Sequence, residues 1–571
     1  MNKETLILLP TAICFIISLI HILFYKLSRK KRCWISILGG LVVLLSTIYI
    51  VCNCTWFLLL GGISSFFAIL ISFLGLLVII YSQKYNWQST FVYDCLLFFF
   101  IGSMLGTTLS PNLILFYSFW EFMTFSSFFL ILYENTKEAK SASIKYLIMT
   151  GAGSIFLLFG ILGYLSGIAG QSIFWKHLLF FSIIIGAGIK AGLFPLHSWL
   201  ADAHPAAPTP ISALLSGIMI KIGIYALILF YFEIFSPSWS IGWQTIMIII
   251  GCLTVLTGCL LAIIQNDIKR LLAFSSIGQI GYIFLGIACG TNLGLLGALY
   301  HTLNHALFKG LLFLAAGVII KKVGSRNLSD YGGLGEKMPF TFFAFFIASL
   351  SISGIPPFNG FISKWIIYQA LLEKGTVLTT VAFLIAILGS CLTLAACLKV
   401  LNDTFLGVRK RENIQKESRI SPFFSIPMGV LSVLCFILGV FPDFFMNNVF
   451  SKIVFAPEVN ISLINIVNFY GILLVLVFFV IFIFYKKIIG KMSKKEIFTG
   501  GEKLEREIAS FDGSQFYLTL RELPVLKTIY NWEDKGYLDI YNIFLKKIVP
   551  WLKKVFKVFE ISFPTNDKNK T

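Results

Sequence analysis

Residues Trp175–Phe230 read WKHLLFFSIIIGAGIKAGLFPLHSWLADAHPAAPTPISALLSGIMIKIGIYALILF. Two long apolar runs each hold one lysine, Lys190 and Lys221, and Pro195, His197, Asp202, His204, Pro205, Pro208 and Pro210 lie between them. A lysine deep in an apolar membrane segment is costly, so its default reading is functional. The competing reading is a side chain snorkelling to the headgroups. Lys221 has at least ten uncharged, largely apolar residues on each side, which argues against snorkelling. Lys190 is followed within five residues by Pro195, a break in the run.

The rest of the chain agrees. Of 571 residues, 57% are hydrophobic and 13% charged, against about 25% charged in soluble domains. Apolar runs of roughly 18–26 residues recur between residues 5 and 485, each long enough to cross a hydrocarbon core of about 30 Å as a helix. The short alternating segments of a membrane β-barrel are absent. The fold class is therefore an all-α polytopic membrane protein. The formal net charge of +19 sits largely in short loops and the tail, so membrane topology accounts for it better than nucleic acid does. The 11 cysteines lie mostly inside apolar runs, and Cys52 and Cys54 are the only close pair, a weak metal signal. The N-terminus lacks a small-residue cleavage site and reads as a retained first helix.

Fifteen spans are expected, at about 5–25, 33–51, 57–80, 92–109, 111–133, 143–167, 176–202, 209–232, 241–265, 271–289, 293–320, 338–372, 376–401, 423–443 and 462–485. Lys26 to Arg32, Lys84, Lys137 and Lys140, Lys269 and Arg270, Lys321 to Arg326, and Arg409 to Arg411 then all fall on one side. By the positive-inside rule that side is cytoplasmic, with the N-terminus outside and the C-terminus inside, in a cell membrane.

Two helices read as broken, the first at Gly192-Leu193-Phe194-Pro195 and the second at Ser353-Gly354-Ile355-Pro356-Pro357-Phe358-Asn359-Gly360. Proline removes a backbone donor and clashes in a helix interior. Freed backbone groups at membrane depth need a protein core or a polar cavity. Two breaks five spans apart fit an inverted repeat of five helices, 92–232 and 241–401. The flanking parts are helices 1–3 (1–91), the C-terminal spans (402–485) and a basic, amphipathic cytoplasmic tail (486–571). Ordinary proline kinks are the alternative.

Within the membrane lie further polar residues. Glu121 sits in an uncharged stretch between Asp94 and Glu134, where a carboxylate must be neutral or paired; Lys190 is the lysine nearest in sequence. A static ion pair is the alternative to a switching one. Lys190, Lys221 and Lys364 are candidates to hold a proton in one state and release it in another. His301, His305 and Lys309 stand at i, i+4 and i+8 on one helix face, where histidine can relay protons. The two histidines could instead bind a metal or pack as core residues, but no carboxylate or cysteine on that segment completes a metal site. Laid in order, Glu121, Lys190, Lys221, His301, His305, Lys309 and Lys364 form the stations of a proton or cation route. No phosphate loop, haem dipeptide or cluster-binding cysteine array is present, so no cofactor is expected in this chain.

The stretches FYSFWEF (116–122), GAGIKAGLFPLHSWLADAHPAAPTPISALLSG (186–217), NDIKRLLAFSSIGQIGY (266–282), HTLNHALFKGLLFLAAG (301–317) and SISGIPPFNGFISK (351–364) carry a resemblance. Across roughly residues 60–440 the chain resembles the antiporter-like membrane subunits of respiratory complex I. It also resembles the related large subunits of energy-converting and formate-linked membrane-bound nickel–iron hydrogenases and of Mrp-type sodium/proton antiporters. The resemblance implies a Glu121–Lys190 pair, a central relay at Lys221, a route continuing through His301 and His305, and an output station at Lys364. It also implies cofactor-free transport of H+ or Na+ beside partner membrane subunits and a cytoplasmic redox arm carrying Fe-S clusters and NiFe or flavin.

The stretch Tyr541–Glu560 is amphipathic and basic, suited to anionic lipids or to a partner subunit, and Pro550 would split it. The leading function is an ion-translocating subunit of a redox-driven complex, hydrogenase-type or NADH:quinone oxidoreductase-type. The alternatives are a subunit of a multisubunit secondary Na+/H+ antiporter and a structural scaffold. A scaffold would lose assembly before transport when Glu121 or Lys221 is neutralised.

Overall fold

The computed structural model describes residues 6–53, 58–85, 91–236, 241–406, 420–454, 467, 469–473, 522–545 and 550. The described residues form helices. In chain order these are α1 (Leu9–Leu23), α2 (Arg29–Asn53), α3 (Gly62–Tyr85), α4 (Phe91–Thr108), α5 (Leu113–Leu132), α6 (Lys137–Leu165), α7 (Ile173–Ala191) and α8 (Ser198–Ala206). They continue with α9 (Thr209–Phe235), α10 (Ile241–Ile264), α11 (Ile268–Ala288), α12 (Asn292–Val323), α13 (Pro339–Ser353) and α14 (Asn359–Glu373). The last are α15 (Val377–Leu406), α16 (Pro422–Val440), α17 (Pro442–Asn448), α18 (Pro524–Asp534) and α19 (Ile540–Ile543).

Among the described residues, twelve helices are long and apolar enough to cross a membrane, and α1 and α13 are shorter apolar helices. That is fewer than the fifteen spans expected, two of which, 176–202 and 338–372, are expected as broken helices. The 5–25 run yields only α1, which starts at Leu9 with Pro10 in its first turn. The 338–372 run is cut at Gly354 into α13 and α14. The 462–485 run lies outside the described residues except at 467 and 469–473.

Capping residues move two other boundaries. Thr136 accepts from the Ala139 amide, so α6 begins at Lys137 and takes Lys137, Lys140 and Lys145 into its first turns. Asp267 accepts from the Lys269 and Arg270 amides, so Lys269 belongs to α11. Expected as a loop cation, Lys269 is instead buried and donates to the Ala207 carbonyl at 2.7 Å.

Burial identifies the centre. The apolar stretches of α9 and α11 are buried throughout, and that of α12 nearly so, whereas only a third of the apolar stretch of α2 is buried. A helix apolar and buried all round has no lipid-facing side. The polar residues within these buried stretches of α9, α11 and α12 are therefore enclosed by other helices.

Both expected breaks are present and are built alike. Gly192 ends α7 at φ 78°, with the Gly192 amide on the Ile189 carbonyl and the Leu193 amide on the Gly188 carbonyl. Gly354 ends α13 at φ 80°, with its amide on the Ser351 carbonyl and the Ile355 amide on the Leu350 carbonyl. This is the Schellman arrangement, which needs a left-handed residue that glycine adopts freely. Carbonyls of the last turn also accept from side chains. The Trp199 indole donates to the Ile189 carbonyl at 2.7 Å, and Lys364 donates to the Ile352 carbonyl at 2.8 Å.

Candidate functional site

Lys190 stands one turn from the first break and is 1% exposed. Its Nζ donates to Thr124 Oγ1 on α5 at 2.7 Å and to the Tyr146 hydroxyl on α6 at 3.4 Å. It lies 5.3 Å from the Trp120 ring centroid and 5.6 Å from that of Tyr146, over π faces that favour a cation. Glu121, on the same helix as Thr124, is partly buried, and its Oε1 has no hydrogen-bond partner. The two charges interact electrostatically, but no ion pair within 4.0 Å joins them among the described residues. Lys190 is thus held by hydroxyls and rings.

Lys221 is fully buried on α9. The turn just before it, Leu215–Met219, is π-helical. Such a turn frees backbone groups from the α ladder and often marks functional positions. The Lys221 ammonium uses one of them, donating to the Ser216 carbonyl at 2.5 Å. The Ser216 hydroxyl in turn meets Ser276 on α11 at 2.8 Å.

Helix α12 presents the expected stripe. His301 Nδ1 meets Ser363 Oγ on α14 at 2.8 Å, and its Nε2 meets Gln279 Oε1 on α11 at 3.1 Å. His305 stacks on His301, with centroids 6.2 Å apart and planes 13° apart, and neither of its ring nitrogens has a hydrogen-bond partner. Lys309 donates to Ser275 Oγ at 2.5 Å and to the Leu272 carbonyl at 2.8 Å, both on α11. Lys221 acts electrostatically on both histidines and Lys309, which makes them neighbours across the α9–α12 contact.

Lys364 closes the series. Besides the Ile352 carbonyl it donates to Ser390 Oγ on α15 at 3.0 Å, and it lies 4.6 Å from the Tyr282 ring centroid. Ser390 Oγ also meets the hydroxyls of Tyr282 at 3.0 Å and Tyr368 at 2.8 Å. Asn304 and Asn359 exchange two hydrogen bonds beside this group, at 2.8 and 3.1 Å.

The structure therefore brings Lys221, His301, His305 and Lys309 into one buried group. It ties Lys364 to them through α11 and α14, and sets Lys190 with Glu121 at the first break. No group of three or more His, Cys, Asp or Glu side chains able to hold a metal occurs among the described residues.

Several residues were missed by the sequence reading. Lys145 is buried on α6 and makes ion pairs of 2.6 Å with both Asp202 and Asp539. His204 is wholly buried, stacked on Phe313 with centroids 5.2 Å apart, and both its ring nitrogens lack partners. Lys399 donates to the Ile263 and Gln265 carbonyls at 3.0 Å. For Lys145 the signal was there: it follows Ser-Ala-Ser-Ile (141–144) and precedes a long apolar run, in register with a helix capped at Thr136.

Comparison with known proteins gives a consistent result. A family model described as NADH:quinone oxidoreductase/Mrp antiporter, transmembrane, matches residues 110–393, which hold every station from Glu121 to Lys364. Hydrogenase-4 component B of Escherichia coli (strain K12) is 32% identical over 66% of this chain and 62% of its own length. Na(+)/H(+) antiporter subunit A1 of Staphylococcus aureus (strain JH9) is 34% identical over 72% of this chain and 56% of its own length. The chain thus spans about three fifths of these relatives. A chain in the structure of the membrane-bound sulfane sulfur reductase, an archaeal respiratory membrane complex, superposes with TM-score 0.78 at 25% identity, covering 98% of this chain and 100% of its own. A chain of the Mrp complex from Dietzia sp. DQ12-45-1b shares the fold with TM-score 0.70 at 24% identity, covering 78% of this chain and 96% of its own. With its buried lysines and histidines ranged along two broken helices and the helices that separate them, this chain belongs to the antiporter-like membrane subunit family of the Mrp antiporters and respiratory complex I.

Proposed function

We propose that this chain is the ion-translocating membrane subunit of a redox-driven complex of hydrogenase or NADH:quinone oxidoreductase type. It moves protons along Glu121, Lys190, Lys221, His305 and His301, Lys309 and Lys364. One observation carries the reading. Lys190, Lys221, Lys309 and Lys364 are each at most 2% exposed, and their hydrogen bonds go to hydroxyls and backbone carbonyls, not carboxylates. A buried ammonium without a paired carboxylate is costly, and a mere scaffold would do better with neutral side chains. The histidines between them supply groups that accept and donate protons near neutrality.

In this reading the stations sit in two inverted five-helix units, 92–232 and 241–401. The like construction of the two breaks supports that division. The N-terminus lies outside and the C-terminus in the cytoplasm. Energy comes from partner subunits, other membrane chains and a cytoplasmic redox arm with Fe-S clusters and NiFe or flavin, because no redox centre is expected here. The relationships to hydrogenase-4 component B and to a respiratory sulfur reductase support this company. Anionic lipids would contact the basic tail.

A second reading, a subunit of a secondary Na+/H+ antiporter, draws on the 34% identity to antiporter subunit A1. Purification of the tagged chain in mild detergent separates the two. Redox subunits co-purify in the first case, and only small membrane subunits in the second. In liposomes, Lys221→Ala should cut ion transport at least roughly ten-fold with assembly unchanged. Lost assembly with undiminished transport per assembled complex would favour the scaffold instead.

A further inference from the structure

Outside the buried axis, one cluster joins the C-terminal segment to the first broken helix. Lys145 Nζ is held between Asp202 Oδ2 and Asp539 Oδ2, each at 2.6 Å. Arg270 stands 3.7 Å from Asp202 and 3.8 Å from Glu533. These side chains come from α6, α8, α11, α18 and the residue that caps α19. With His197, Ser198 and Phe274 they line one small polar cavity of about 20 Å³. A site needs roughly 10–15 Å³ to hold a water, so this one has room for a single molecule with several polar partners. His197 is 2% exposed, and its Nδ1 has no hydrogen-bond partner. Its ring stacks on Phe194 at the first break, with centroids 5.7 Å apart. The next residues but one, through Trp199, tie the segment to the end of the helix that bears Lys190. Asp202 keeps about a third of its side chain exposed, so the cluster reaches the surface.

We propose that Asp539 and Glu533, supplied by the C-terminal segment, complete a hydrated proton port with Asp202 and His197 at the first broken helix. The proposal rests on the proton-transport reading above. The step is a relay in which only O–H and N–H bonds change. A protonated carboxyl passes its proton to the bridging water as that water passes another to His197 Nδ1; release runs the same steps backwards. Three carboxylates against Lys145 and Arg270 leave the port net negative. Such a cleft raises the local concentration of a cation by roughly ten-fold or more. The C-terminal segment is then part of the transport machinery and not only an attachment to lipid or to a neighbouring subunit.

The test uses the intact complex in liposomes, with proton movement read by a pH-sensitive dye across a pH series. Asp539→Asn is the informative variant. Asp539 caps α19 through Oδ1, which accepts from the Tyr541 and Asn542 amides, and asparagine caps about as well as aspartate. The variant removes the charge and keeps the cap. Transport should fall roughly ten-fold, most strongly in alkaline buffer where protons are scarce, and Asp539→Glu should restore it. If Asp539→Asn detaches the segment, Glu533→Gln, whose contact with Arg270 is the longer one, takes its place with the same expected pH dependence. Unchanged transport across the pH series in the variant that keeps the segment attached would overturn the port. A loss equal at every pH would also overturn it, since that is what a structural defect gives. Lys221→Ala in parallel separates the two levels. If it stops transport while the port variants do nothing, only the port fails. If it too has no effect, the transport reading fails and the port with it.

Discussion

Ser390 gathers Lys364, Tyr282 and Tyr368 on one hydroxyl oxygen. A hydroxyl offers one donor and two acceptor sites, so these three groups use all it has. Ser390→Ala leaves two tyrosine hydroxyls and an ammonium short of a partner. Each keeps a second acceptor, the Ala386 carbonyl for the tyrosines and the Ile352 carbonyl for Lys364. The loss is that of ordinary hydrogen bonds at about 0.5–1.5 kcal/mol each, and the melting temperature of the purified complex should fall. Proton transport should fall several-fold beyond what the stability loss accounts for, because the Lys364 position is no longer fixed. Unaltered transport would show that Lys364 is placed by the Ile352 carbonyl alone. This residue also marks what a sequence can disclose. Lys190, Lys221, Lys309 and Lys364 were legible because a charge deep in an apolar run is too costly to persist without a role. Thr124, Ser275, Ser363 and Ser390 were not, because serine and threonine are common in membrane helices and mostly bond their own preceding turn. Here Thr124 does both, donating to the Trp120 carbonyl at 3.0 Å while accepting from Lys190. The electrostatic influence of Glu121 on Lys190 was legible, but the expected ion pair is not formed within 4.0 Å; the sequence has no means of placing Thr124 and Tyr146 around the ammonium.

The two breaks were legible because glycine followed by proline in an apolar run stops a helix for known steric reasons. Their surroundings were not. Helix α16 crosses the second break so closely that a Cβ on Gly439 would lie 2.0 Å from the Pro357 carbonyl oxygen. Backbone cannot swing aside as a side chain can. Gly439→Ala should therefore cost at least the roughly 1–3 kcal/mol of ordinary overpacking, and it should depress both thermal stability and transport by displacing Asn359 and Lys364. Gly151 is the matched control. It lies within α6, where an added Cβ meets nothing within 4 Å. Gly151→Ala should be neutral or stabilise by about 0.5–1 kcal/mol through helix propensity. Equal melting temperatures for the two variants would refute the close crossing. The π turn before Lys221 was equally hidden, since LSGIM reads as plain helix.

Across the whole molecule, the C-terminal segment was read as a basic tail, and only its described part, 522–545, reveals how it returns to the membrane body. Tyr530 is buried there, and Asp539 reaches Lys145, more than 390 positions earlier in the chain. Contacts over such separations leave no local pattern to read. They do give the docking a pH dependence. Burial pushes the Asp539 carboxyl up, but Lys145 and the hydrogen bonds around it more than offset that, and it lies below the usual aspartate range. Burial is also the main influence on Glu533, and it wins over Arg270, so that carboxyl lies above the usual glutamate range. The two act in opposite senses. Asp539 favours docking fully above the free aspartate value of about 3.9, and that contribution is lost as pH falls through its lower docked value. Glu533 favours docking below the free glutamate value of about 4.3, and that contribution is lost as pH rises through its higher docked value. Docking should thus be tightest in mildly acidic buffer, and weaker both at neutral pH and in strong acid. Limited proteolysis of the chain ahead of Pro524 across a pH series reads this directly. Glu533→Gln should flatten the neutral side of the profile, and Asp539→Asn the acid side. A profile indifferent to both substitutions would mean that apolar contacts such as Tyr530 hold the segment and that the ion pairs do not.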